Sequence, residues 1–261
     1  MNQVNKTLYI PLFGKALVSR RGLLLQDPKA EEIWAAEGFP LKGKSRSKWL
    51  AYYMAMRAKV FDRWADAQIA QTPNAVVLHL GCGMDSRVLR VGRVDVSWFD
   101  VDFPEVIRER KRYYEETDRY RMIGADLRST GWLEQIPKDR PVLILLEGVS
   151  MYLPRKELKT ALAQWKARFP EVRILVDCYT EFAAKASRFR NPVRDVGVTR
   201  VYGLDDPLAL TEGTGLTFVT QHNMTPEDLI RQLPSGEQRI FRRLYAGSLS
   251  KKLYRLYEYR K

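Results

Sequence analysis

The stretch Val76-Val-Leu-His-Leu-Gly-Cys-Gly-Met-Asp-Ser-Arg87 decides the fold. Its apolar start reads as a buried strand, and the strand ends in Gly-x-Gly before a helix-like run. Glycine at 81 and 83 leaves the backbone open to close approach by a ligand, which any side chain there would block. The third glycine of a dinucleotide fingerprint is missing. Asp85 and Arg87 stand where it would fall, which argues against a pyrophosphate cradle.

Outward from that turn, apolar runs recur at 75–80, 96–101, 120–124, 142–147, 172–179 and 216–222. They are rich in Val, Ile, Leu and aromatics, and most read as buried strands. Between them, 104–116, 131–136 and 154–169 read as helical, with Pro104 and Pro154 where a first-turn proline is tolerated. The alternation predicts an α/β protein with a mostly parallel sheet and helices on both faces. The segment 254–259 reads as a seventh strand after a helix near 235–249. Tyr245, Leu249, Leu253 and Tyr257 would equally line one face of a helix, so that alternative stays open.

The first 74 residues read as helical. Trp49, Leu50, Tyr53, Met56, Val60, Phe61 and Trp64 fall at near-helical spacing, and Pro73 stops the run. No linker or repeat divides the chain. The expectation is one domain over 1–261: a helical lid or flank at 1–74 and an α/β core at 75–261, with an insertion near 180–210.

Acidic residues end successive strands. The second run closes Trp98-Phe-Asp-Val-Asp102-Phe-Pro104, about 20 positions past the glycine turn, where a carboxylate suits a ribose diol. Asp102 comes last before the helix and is the first choice. Asp100 points the same way under period-2 alternation, and helix capping alone is a further reading of Asp102. Asp126 follows the third run and Glu147 ends the fourth. Carboxyl ends of parallel strands are where open α/β sheets bind ligands, and capping alone does not explain so many acids behind one glycine turn.

The bulk numbers agree with a folded enzyme-sized domain: 261 residues, 45% hydrophobic and 29% charged. No apolar run is long enough to span a bilayer, and the N-terminus does not read as a signal peptide. Cys82 and Cys178 lie in apolar surroundings, so a reduced, cytoplasmic protein is expected. The net charge of +13 is compatible with nucleic acid, an acidic surface or an anionic small molecule, and equally with a solvated cationic exterior. Its Lys and Arg residues are spread along the chain, with clusters at 108–112, 239–243 and 251–261.

Taken together, Leu-Gly-Cys-Gly-Met-Asp-Ser-Arg at 80–87, Asp-Val-Asp-Phe-Pro-Glu-Val at 100–106, Ile-Gly-Ala-Asp-Leu-Arg at 123–128 and Glu-Gly-Val-Ser-Met-Tyr-Leu at 147–153 resemble the leucine carboxyl methyltransferase family, which includes bacterial polyketide O-methyltransferases. Ser19-Arg20, Asp27-Pro28, Arg57, Phe61-Asp62 and Tyr202-Gly-Leu-Asp-Asp206 extend the likeness over most of the chain. The resemblance implies a Rossmann-like class I methyltransferase fold and S-adenosylmethionine as methyl donor, with S-adenosylhomocysteine as product. It implies that Arg57 pairs with the donor's carboxylate and that Gly81 and Gly83 pass beneath its methionine part. Asp102 would hold the ribose, Asp126 and Leu127 would meet the adenine, and Glu147 would face the amino group. A guanidinium suits a carboxylate, and an acid suits an ammonium or a diol.

For the acceptor, the chain offers only two histidines. His79 lies within the first strand and reads as a core or supporting residue; His222 ends the sixth run. No Cys/His/Asp spacing reads as a metal site. A carboxylate is ionised at neutral pH and needs no base, whereas a phenol near pKa 10 benefits from one. The scarcity of bases therefore favours methylation of a carboxylate, on a small anionic molecule or a peptide C-terminus. Arg128 and Tyr152 are the acceptor-site candidates. Hydroxyl methylation, an RNA substrate and a non-catalytic nucleic-acid-binding protein are the competing readings. Against RNA, the fourth strand runs into Glu-Gly-Val-Ser, not the Asp/Asn-Pro-Pro-aromatic turn of amino-group methylases, and no added RNA-binding module is visible.

Overall fold

The structure is a computed structural model that describes residues 5–41, 43–187, 200–247 and 252–261. Strand β1 (Val76–Leu80) is buried along its whole length and lies between β2 (Ser97–Asp102) and β4 (Val142–Leu146), parallel to both. Beyond them β3 (Tyr120–Gly124) and β5 (Val172–Tyr179) continue the parallel sheet. The C-terminal β7 (Tyr254–Arg260) inserts antiparallel between β5 and β6 (Thr217–Gln221). The order β3-β2-β1-β4-β5-β7-β6 reverses direction between β1 and β4. A crevice opens at such a reversal, at the carboxyl ends of the strands.

Alternating side chains serve two layers, as a pleated strand requires. On β4, Leu143 and Leu145 join the core formed with the N-terminal helices. Val142, Ile144 and Leu146 join the core on the other face, with Trp132, Leu162 and Trp165. Both faces are thus covered, which explains why β1 and β4 read as unbroken apolar runs.

The N-terminal helices are α1 (Tyr9–Arg20), α2 (Pro28–Glu37) and α3 (Lys48–Gln71). Asp27 caps α2 by accepting from Ala30 N–H, Pro28 takes its first turn, and Gly38 ends it in the left-handed region. Residues 1–4 lie outside the described residues. Short helices α4 (Arg87–Val91) and α5 (Pro104–Arg110) follow β1 and β2, and α6 (Arg155–Arg168) follows β4. The 131–136 run is a 3-10 turn, Gly131–Gln135. Helix α5 stops at Arg110, short of the expected 116. The C-terminal segment is a strand, and the expected helix before it is shorter, Ser235–Phe241 followed by a π-turn over Arg242–Ala246; residues 248–251 lie outside the described residues. In α7 (Glu181–Ala186), Thr180 caps by accepting from Ala183 N–H. Most of the expected insertion beyond α7, residues 188–199, also lies outside the described residues.

Candidate active site

A cavity of about 840 Å³ opens over the carboxyl ends of β1, β2 and β4. That is within the range of pockets for small ligands. Its floor is the glycine turn. Gly81 sits at φ +69° and Gly83 at φ +52°. A Cβ on Gly81 would lie 2.2 Å from Val149 Cγ2, so the turn packs against the β4 loop as tightly as glycine permits. Opposite, Asp102 projects from the end of β2. Its carboxylate accepts from Gly83 N–H (2.7 Å) and from Phe103 N–H (2.7 Å). Among the described residues no cation lies within ion-pair distance of it. Burial raises its carboxyl to about 6, against the lowering effect of the two backbone donors.

Asp100 has a different place. It is fully buried, accepts from Trp98 Nε1 (2.9 Å) and Tyr120 Oη (2.6 Å), and pairs with Arg110 (2.5 Å). His79 stands 3.2 Å from it. Burial opposes its charge, yet Arg110, His79 and Tyr120 bring its carboxyl down to about 2. The alternation did point both acids one way; the strand's depth separates them, Asp102 lying at the mouth and Asp100 in the core.

Glu147 lines the cavity immediately after β4. Arg57 Nε is 2.9 Å from one of its oxygens, and Arg87 Nη2 pairs with the other. Burial opposes ionisation, but the two guanidiniums hold the carboxyl at about 2. Arg57 also reaches Asp177 on β5 (2.8 Å), so it is a buried residue of α3 clamped between two carboxylates. Its remaining nitrogen, Nη2, lies over Gly148, where a Cβ would meet it at 3.5 Å. Asp177 further accepts from Gly148 N–H (2.6 Å), which fixes the left-handed turn after Glu147.

Sequence reading missed Asp177 and the ion network behind the turn. Lys15 of α1 pairs with Asp85 (2.8 Å), and Arg90 with Asp85, Asp62 and Asp27. Arg87 ties Asp62 to Glu147. A signal existed: Asp177 is the one carboxylate in the apolar strand 172–179, and Lys15 stands in the middle of the apolar helix run 9–18. What sequence alone lacks is the pairing, because each partner comes from a different element.

Asp126 and Leu127 line the cavity beyond β3. Arg128 lines it too, but its guanidinium is engaged. It donates to both Asp126 oxygens (2.9–3.0 Å from Nε, 2.5 Å from Nη2) and lies 3.6 Å from Glu157. Tyr152 is half-buried on the β4 side, in the 3-10 turn Ser150–Tyr152. Burial, then Tyr179, raises its phenol well above the ordinary value. His222 does not line the cavity; it contacts Glu258 across the β6–β7 pair (2.6 Å). Among the described residues no group of three or more His, Cys, Asp or Glu is placed to hold a metal ion, and no helix is long and apolar enough to cross a membrane.

This sheet order, with a glycine turn and an acidic β2 tip at the reversal, is a Rossmann-like fold with its crevice at the switch point. Solved structures share the fold. The magnesium protoporphyrin IX methyltransferase of Synechocystis PCC 6803 superposes with a TM-score of 0.53 at 10% identity, over 88% of this chain and 93% of that one. A sarcosine dimethylglycine methyltransferase assigned in Galdieria sulphuraria gives 0.53 at 13% identity, over 90% and 98%. In sequence, the leucine carboxyl methyltransferase family model matches residues 3–166. The tetracenomycin polyketide synthesis O-methyltransferase TcmP of Streptomyces glaucescens is 34% identical over 224 residues, 85% of this chain and 83% of that protein. The S-adenosyl-L-methionine-dependent methyltransferase dpfgK of Gibberella zeae is 31% identical over 194 residues, 67% of this chain and 64% of that protein. The chain belongs to the leucine carboxyl methyltransferase family, and it is an S-adenosylmethionine-dependent O-methyltransferase.

The residues present fit the donor. Asp102 offers hydroxyls a carboxylate with no ion-pair partner among the described residues, and the glycine turn and Glu147 line the same cavity.

Proposed function

We propose that the protein methylates a carboxylate of a small anionic molecule, giving a methyl ester. The single observation that carries this reading is that, among the described residues, neither histidine is available to the cavity as a base. His79 is buried against Arg87 and Asp100, and burial lowers its pKa. His222 lies outside the cavity, and the Tyr152 phenol is held protonated. A carboxylate acceptor needs none of them, being already ionised.

In this reading Asp102 receives the ribose hydroxyls, and Asp126 and Leu127 border the adenine. Gly81, Gly83 and Glu147 line the methionine end, with Arg57 Nη2 left for the donor's carboxylate. Bound S-adenosylmethionine supplies a sulfonium methyl that passes to the acceptor oxygen and leaves S-adenosylhomocysteine. The protein's part is positioning: it holds the acceptor oxygen in line and excludes water, and orientation of this kind accounts for large rate factors. Tyr152 donates a hydrogen bond on the acceptor side, and Arg128 adds positive potential at the rim, partly offset by Asp126 and Glu157. The relative named for tetracenomycin polyketide synthesis favours a small-molecule acceptor over a peptide C-terminus.

The test is transfer of a labelled methyl group to a pool of organic acids, followed by mild alkali. Release of the label as methanol is expected. His222→Ala should lower turnover by less than ~10-fold, below the ~10²–10⁴-fold usual for loss of a general base. An alkali-stable methyl ether as product would move the assignment to hydroxyl methylation.

A further inference from the structure

Arg110 is fully buried at the C-terminal end of α5 and does not line the cavity. Each nitrogen of its guanidinium is engaged, and by a different part of the chain. Nε donates to Tyr120 Oη on β3 (3.1 Å), Nη2 pairs with Asp100 on β2 (2.5 Å), and Nη1 donates to the backbone carbonyl of Gly83 (3.0 Å). The centre of the Tyr114 ring lies 3.9 Å from the guanidinium, and the Tyr114 hydroxyl donates to Met84 O (3.2 Å). Successive carbonyls of the glycine turn are thus held from outside the cavity, one by Arg110 and the next by Tyr114.

Stability alone does not explain this arrangement. A buried guanidinium–carboxylate pair often gains nothing over well-packed apolar residues of similar volume, because both charges give up their water. Nor is the pair arranged for its own strength. A guanidinium and a carboxylate make their strongest contact as a two-armed fork. Here one arm is withheld from Asp100, whose other oxygen accepts from Trp98 Nε1 (2.9 Å), and that arm goes to Gly83.

Gly83 is where the arm matters. It lines the cavity at φ +52° and carries no side chain, so the peptide planes that meet there are free to turn. Its N–H donates to Asp102 (2.7 Å) while its carbonyl accepts from Arg110. A partner on each side removes that freedom. The other oxygen of Asp102 accepts from Phe103 N–H (2.7 Å). Two backbone donors therefore set the rotation of this carboxylate, and the place of one of them depends on Arg110. Arg110 acts on Asp102 through the turn and not as an ion-pair partner. The lone pairs that the backbone does not use are left for a ligand's hydroxyls.

We propose that Arg110 is a positioning residue for the methyl donor: by holding the Gly83 carbonyl it fixes the glycine turn against Asp102 and so aims that carboxylate at the ribose hydroxyls. The inference rests on the ribose reading of Asp102 given above and adds to it a residue outside the cavity.

Calorimetry on the full chain tests this with two probes, S-adenosylhomocysteine and its 2′,3′-dideoxy analogue, which lacks only the ribose hydroxyls. The ratio of the two affinities reads the hydroxyl contact by itself. Arg110→Lys keeps a cation beside Asp100 but loses the fork, since an ammonium is a single point of contact. It should weaken S-adenosylhomocysteine about tenfold, the scale of a hydrogen bond to a charged group, and leave the analogue within about twofold of the parent. Arg110→Met combined with Asp100→Asn removes both buried charges together and serves if Arg110→Lys folds poorly; the same collapse of the ratio is expected. Asp102→Ala should abolish the hydroxyl preference, and Arg110→Lys added to it should lower S-adenosylhomocysteine affinity no further, because the two residues act through one contact. A residue that only supports the fold would loosen the whole site. Equal losses for both probes, a parent-like ratio in the Arg110 variants, or additive losses with Asp102→Ala would therefore overturn the proposal. The ribose reading fails separately: an Asp102→Ala protein that keeps the parent's hydroxyl preference rejects that reading and the proposal with it.

Discussion

Asp102 and Asp100 stand two residues apart on β2, and burial assigns them opposite work. Asp102 has its two backbone donors and room at the cavity mouth. Asp100 compensates Arg110 in the core. Asp102→Ala should therefore leave the fold intact and weaken S-adenosylhomocysteine binding by roughly tenfold or more, the scale of a hydrogen bond to a charged group. Asp100→Ala should instead cost ~3–5 kcal/mol of stability, because it leaves a buried guanidinium unpaired. Denaturant midpoints and calorimetry on both variants check this; a stable Asp100→Ala with the larger loss of affinity would reverse the roles.

The Asp102 carboxyl, raised from 3.8 to about 6 by burial, also gives a pH dependence. In the free protein its contribution to stability is fully present below pH ~4 and is lost as pH rises through about 6, since ionisation in the folded state is disfavoured. Binding runs the other way. Only the ionised form accepts from both ribose hydroxyls, so donor affinity should fall as pH drops through about 6. Asp102→Asn should flatten that fall, and an unchanged profile would transfer it to another group, Asp177 being raised to about 6 as well. The acids at the strand tips were legible in the sequence because strand ends can be read from apolar runs. The distinction between mouth and core was not, since it depends on Arg110 and Tyr120 arriving from α5 and β3.

At the level of elements, the glycine turn after β1 joins β4 across the sheet's reversal. Gly81 adopts φ +69° with Val149 against it, so an alanine meets both backbone strain and a 2.2 Å clash. Strain of that kind alone costs ~1–3 kcal/mol. Gly81→Ala should lower the denaturant midpoint accordingly and weaken donor binding in the same variant; a protein as stable and as tightly binding as the parent would contradict the described turn. The five parallel strands were readable because buried parallel strands announce themselves as continuous Val/Ile/Leu runs, and β7 followed from its aromatic alternation; β6 is a strand where one was expected, but as the sheet's antiparallel edge it is mostly exposed, not buried. Short helices were harder. Helix α5 ends at Arg110 and gives way to turns over 111–114; Arg110 pairs with Asp100, and its guanidinium lies 3.9 Å from the Tyr114 ring centre.

The whole molecule carries an inversion of charge. Its net charge is +13, yet the buried network around the site holds Asp27, Asp62, Asp85, Glu147 and Asp177 against Lys15, Arg57, Arg87 and Arg90, one more carboxylate than cations among the described residues, with Asp102 in addition. An acidic interior suits a cationic sulfonium donor. The basic exterior is a separate property, which is why net charge said little about the site. The same network binds α1, α3, the glycine turn, β4 and β5 into one frame, so that a ligand at its centre reaches all of them. Hydrogen exchange with and without S-adenosylhomocysteine tests that placement directly. Slowed exchange is predicted in peptides covering 80–87, 102–106, 125–128 and 147–153, with residues 217–221 of the edge strand unaffected. Saturation with ligand that leaves those four segments unprotected, or protects a different surface, would contradict the account.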